Sequence, residues 1–140
     1  IQVGEGQSEL EEMMAAAAAK QGRTVSPEGL PENGLFYRAD HFSLARRGVP
    51  VLLIMGIAGG PDLVDGGREA GIEWVAGYIA NRYHNQNDAW DPDWDLRGAA
   101  QDVELFLDLT EDLANSTTWP DLKPTSEFKG LRDESADARE

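Results

Sequence analysis

The sequence predicts an α/β fold, a sheet flanked by helices, and three observations carry that expectation. Val49-Pro50-Val51-Leu52-Leu53-Ile54-Met55 is an unbroken apolar run bounded by Pro and Gly, the pattern of a strand covered on both faces. Stretches with helical character lie on either side of it. Segments rich in Gly, Pro, Asn and Asp separate these elements and read as loops.

In chain order, Ser8-Glu9-Leu10-Glu11 has the form of a capping box, in which Ser8 accepts from a first-turn amide and Glu11 reaches back. It opens a helix through Met13, Met14 and the Ala15–Ala19 run, ending near Gly22. Residues 23–34 are turn-rich and predict a loop, and Leu35-Phe36-Tyr37-Arg38 reads as a short strand. Asp40 suits the N-cap of a short helix, His41 to Arg47, that Gly48 ends in a left-handed conformation. After the apolar run, residues 56–67 are rich in glycine and predict a surface segment. Glu69 to Asn81 is expected to be helical, with Ile72, Val75 and Ile79 on one side. The polar stretch from Tyr83 to Trp94 is expected to be a loop. Asp95 then caps a long helix to about Asn115, whose Leu96, Ala99, Ala100, Val103, Leu107 and Leu113 form the expected core stripe. Residues 1–124 are expected to be one unit, and residues 125–140 a polar, frayed tail.

The chain has 140 residues, a length that one domain accommodates and that can bury a real core. Its net charge of −14 opposes nucleic acid and anionic membrane as partners, since phosphates repel such a surface. A solvated acidic surface is the simpler reading of that charge. No apolar run reaches the roughly 20 residues that span a bilayer. Zero cysteines exclude disulfides, thiolate catalysis and Cys-type zinc sites. Ile1-Gln2-Val3-Gly4 shows no signal-peptide pattern, and it opens on what reads as the end of a strand, as expected of a chain cut from a longer one.

Two histidines are present, each in a polar junction after an element: His41 within Arg38-Ala39-Asp40-His41, and His84 within Tyr83-His84-Asn85-Gln86-Asn87-Asp88. In open α/β sheets, ligands gather beyond the carboxyl ends of strands, where the Arg38–His41 corner is expected to lie. Against that stands the plain reading, with Asp40 a helix cap and His41 a first-turn residue. Neutral imidazole is a common zinc ligand, and its second nitrogen needs an acceptor to fix the tautomer. Asp88 can supply that acceptor, or can make an Asx-turn in the loop. A tyrosine beside a metal-bound histidine can donate its hydroxyl to the oxyanion formed when water attacks a carbonyl. Alone, a Tyr-His pair says little.

The combination is more specific. Phe36-Tyr37-Arg38-Ala39-Asp40-His41-Phe42, then Gly48-Val49-Pro50, then Tyr83-His84 with Asp88 and Trp94-Asp95-Leu96, resembles the co-catalytic zinc aminopeptidases over most of residues 1–120. Relatives of that family include glutamate carboxypeptidases, glutaminyl cyclases and the transferrin receptor ectodomain. The resemblance implies a zinc-exopeptidase-like three-layer fold around a mixed, mainly parallel sheet, truncated here on its N-terminal side. It implies a peptide substrate, two zinc ions in the intact domain, and export from the cell. By the same resemblance His84 is the last metal ligand and Tyr83 helps stabilise the oxyanion. Arg38, Asp40, His41 and Asp88 contact substrate or support the ligands. Ala39 stands where the family commonly has Ser.

The family uses a His-x-Asp, a Glu-Glu pair and a further Asp besides the Tyr-His histidine, and this sequence has no His-x-Asp. Glu11-Glu12 is a Glu-Glu pair, but it falls in the first turn of a helix and is rejected as the catalytic one. The chain is therefore expected to hold zinc weakly or not at all and to be inactive by itself. An exposed strand at Val51–Met55 is expected to invite pairing with another copy. Two rival readings keep the fold: a glutaminyl-cyclase-like acyl transferase, disfavoured because those carry Trp-His where this chain has Tyr83-His84, and a non-catalytic receptor-like domain.

Overall fold

A computed structural model describes residues 1–138; Arg139 and Glu140, the end of the expected tail, lie outside the described residues. Helices dominate. In order they are α1 (Leu10–Lys20), α2 (Phe42–Ala45), α3 (Gly67–Asn81), α4 (Arg97–Ala114) and α5 (Lys129–Glu134). The strands β1 (Gln2–Val3) and β2 (Leu53–Ile54) pair antiparallel, Gln2 opposite Ile54 and Val3 opposite Leu53. The fold is thus mixed helix with a small antiparallel sheet.

The apolar run 49–55 organises the interior. Val51, Leu53 and Met55 pack on a cluster of Val3, Phe36, Ala45, Ala58, Leu122 and Phe128. Leu52 and Ile54 point the other way, to Met14, Ala17, Ala18, Leu105 and Leu109. Alternate side chains of an extended segment face opposite sides, so one short strand separates two cores. Coverage on both faces follows the sequence expectation, although the ladder itself is only two residues long.

Helix α1 begins where expected, with half of the predicted capping box in place. Glu11 Oε1 accepts from the Ser8 amide at 3.2 Å. The Ser8 hydroxyl instead donates to the Val51 carbonyl at 3.3 Å, tying the helix start to the central segment. Gly48 terminates α2 at φ +72°, as read from the sequence, and also admits α5: a Cβ there would lie 2.8 Å from the Arg132 backbone. Gly71 allows a similar approach, since a Cβ would meet the Pro61 carbonyl at 1.8 Å.

Four expectations are corrected. Leu35–Arg38 is a 3₁₀ turn rather than a strand; Gly34 enters it at φ +62°, and no strand lies alongside to complete a ladder. Asp40 caps nothing: α2 starts after His41 without a side-chain cap. The α4 stripe is rotated, because α1 takes the face of Leu105, Leu109 and Leu113 while Leu96, Val103 and Leu107 stay in solvent. The segment from 125 is not frayed through residue 138. Phe128 and Ser126 are buried, and Arg132 donates to the Asp121 carboxylate at 2.6 Å, the Gly48 carbonyl at 3.1 Å and the Pro120 carbonyl at 3.0 Å.

Candidate functional site

The Arg38–His41 corner is built by the 3₁₀ turn and α2. Phe36 is buried, and His41 lies edge-on to its ring at a centroid distance of 4.7 Å. Both ring nitrogens of His41 are shielded from water and have no hydrogen-bond partner. Burial therefore lowers the imidazole pKa below its ordinary 6.5, against a smaller opposing pull from the Asp40 carboxylate. Arg38 and Asp40 are exposed, and neither makes an ion pair with a described residue. Phe36 also lines an open cleft of about 310 Å³, together with Gly4, Glu28, Pro31 and Tyr37 among others. Glu28 accepts from the Gly4 amide at 2.9 Å, and its second oxygen is buried without a partner. Tyr37 donates to Glu127 at 2.7 Å, which holds its hydroxyl pKa above 10. Glu28 lies in Pro27-Glu28-Gly29, which reads only as a turn, and Tyr37 stands in the Phe36–Phe42 motif without a site role read from the sequence.

The Tyr83–Asp88 loop is a different environment. It leaves the end of α3 and is stitched by its own polar side chains. Arg82 donates to the Asn87 carbonyl at 3.1 Å and the Ala89 carbonyl at 2.9 Å, and Asn85 Oδ1 accepts from the Asn87 amide at 2.8 Å. His84 is exposed and takes φ +57°, where it is the only non-glycine residue at positive φ among the described residues. Its ring stacks on Tyr83, with centroids 3.8 Å apart and planes at 20°. Asp88 does not orient His84: its two oxygens accept from the Tyr78 hydroxyl at 3.1 and 2.9 Å, raising the tyrosine pKa.

No hydrogen bond, ion pair or ring contact among the described residues joins the His41 corner to the His84 loop. Nor is any group of three or more His, Asp or Glu side chains placed to share a metal ion among them. A structural zinc site takes four protein ligands and a catalytic one about three, so the described residues do not by themselves fit a zinc centre. Glu11 is engaged locally, at the start of α1. It accepts from the amides of Gly6 (3.1 Å), Gln7 (2.6 Å) and Ser8, and from Lys123 Nζ at 2.7 Å. Burial works to raise its pKa, but those donors outweigh it and hold the carboxyl below 4.5.

The model of Peptidase family M28 matches residues 1–107, three-quarters of the chain. The chain belongs to that family, a family of metallopeptidases that generally depend on zinc. Both histidine segments fall inside the match, which stops within α4. No curated protein and no solved structure gives a significant match. No described helix is long and apolar enough to cross a membrane.

Proposed function

We propose that this chain supplies one side of the catalytic domain of a zinc-dependent aminopeptidase, an enzyme that hydrolyses N-terminal residues from peptides. The observation that carries the reading is the family match across residues 1–107, with Tyr83-His84 inside it. In the complete domain His84 is one zinc ligand, and Tyr83 stands beside it to stabilise an oxyanion. Arg38, Asp40, His41 and Asp88 border the substrate or support the ligands. The exposure of His84 suits this role, because a ligand shared with residues from elsewhere must stay open to them. The remaining ligands and the general base then come from polypeptide beyond this sequence. There the two-stranded ladder extends into a mixed, mainly parallel sheet of a three-layer domain. The outer edge of β2 is left for pairing with another copy, and the enzyme acts outside the cytoplasm.

Alone, the chain is inactive by this reading. Purified chain should release no nitroaniline from aminoacyl-nitroanilides. A longer polypeptide that adds His-x-Asp and Glu-Glu motifs should do so with chelator sensitivity, and His84→Ala should lower its rate at least 100-fold. Chelator-sensitive turnover by the 140-residue chain would overturn the claim of inactivity. A longer polypeptide bearing those motifs yet inert towards aminoacyl substrates would instead favour a non-catalytic domain.

A further inference from the structure

Of the stripe expected from the sequence to form the core, every residue but Leu113 is left exposed by the fold. Val103 is 68% exposed, Leu107 54% and Phe106 40%. With Leu96, Ala99 and Thr110 they recur at helical spacing and share one side of α4, away from the Leu105–Leu109 side that meets α1. Along the border of this apolar face run Glu104, Asp108 and Glu111, again three and four residues apart. The other acids of the helix, Asp102 and Asp112, are neutralised by Arg23 and Lys20. Glu104, Asp108 and Glu111 make no ion pair among the described residues.

The total surface leaves room for a partner. A compact monomer of this mass exposes about 7,100 Å², whereas this chain exposes 9581 Å². The excess of roughly 2,400 Å² is more than one partner contributes to a standard interface, about 800 Å².

We propose that the Ala99–Val103–Phe106–Leu107 face of α4 docks an amphipathic helix of a partner polypeptide whose apolar stripe is edged by lysine or arginine. The apolar side chains supply the burial, and the unpaired acidic row selects a cationic edge. A second copy is a poor occupant. Two such faces would set their own unpaired acidic rows against each other. The proposal does not depend on the peptidase reading, since it uses neither His84 nor a metal.

The test uses the intact chain with labelled methyl groups and two synthetic 18-residue helical probes of identical leucine stripe, one edged with lysine and one with glutamate. The lysine probe should shift the Val103 and Leu107 methyl signals and leave those of Leu105 and Leu109 unmoved; the glutamate probe should do neither. Val103→Glu with Leu107→Glu, both solvent-facing, should weaken binding at least 10-fold while the circular dichroism stays unchanged. Glu104→Lys with Glu111→Lys should transfer the preference to the glutamate probe. Absence of methyl shifts would overturn the proposal, as would lysine-probe binding indifferent to the Val103/Leu107 variant. A dimer in sedimentation that the same variant dissolves would also overturn it, by giving the face to a second copy.

Discussion

The corner that carries His41 and the loop that carries His84 solve opposite problems with the same side chain. At the corner an aromatic cluster dominates: Phe36, Phe42 and Phe128 lie within 6.3 Å of one another, and the imidazole joins them edge-on without any polar partner. In the loop the imidazole is in water, at a left-handed φ, on a frame of Asn, Asp and Arg hydrogen bonds. One histidine is held by packing and so should report on stability. The other is held by local polar bonds and so should be nearly silent in stability and available to a ligand.

The sharpest way to break this contrast is to remove the packing behind the corner. Phe128→Ala should cost about 3–5 kcal/mol in urea unfolding, the range for truncating a buried Phe. A loss below about 1 kcal/mol would mean that the C-terminal segment does not belong to the core. Gly71→Ala tests the seating of the helix that presents the His84 loop. The new Cβ would collide with the Pro61 carbonyl, so a loss of about 1–3 kcal/mol is expected by overpacking, read from the same titration.

The packing of His41 can also be followed by pH. His41 has a folded pKa below its unfolded 6.5, so the unfolded chain binds the proton first. Its contribution is present above pH 6.5 and is lost as pH falls from there through the lowered folded value. A melting-temperature series should decline across that window in the parent protein and flatten there in His41→Phe. A second decline, from Glu11, belongs below pH 4.5, where its depressed carboxyl loses its charge, and should persist in the variant. The smallest effect is expected at His84→Ala, within about 0.5 kcal/mol of the parent. A larger loss would show that the loop histidine has a packing role that its exposure does not reveal.

Local signals were legible. Ser8 and Glu11 mark the start of α1, Gly48 the end of α2, and the Asn/Asp-rich stretch the loop after α3, because each acts through bonds or backbone angles within a few residues. The Arg38–His41 and Tyr83–His84 motifs were legible too, but their relation was not, because it depends on contacts between distant segments. Leu35–Arg38 has strand-like composition yet found no neighbouring strand to pair with, and so closed into a 3₁₀ turn. The polar character of residues 125–138 concealed Phe128, whose burial depends on Val3 and Phe36 more than ninety positions away.

By itself, then, the order of residues determined the helical segments, the turn positions, the acidic surface and the family, all of which reside in local pattern. Only the tertiary structure decided which of the two apolar sides of α4 meets α1, and that His41 rather than His84 is packed away. Burial is a property of where segments meet. A side chain becomes core when another surface excludes water from it, and no local periodicity can say which of two suitable faces that surface will reach first.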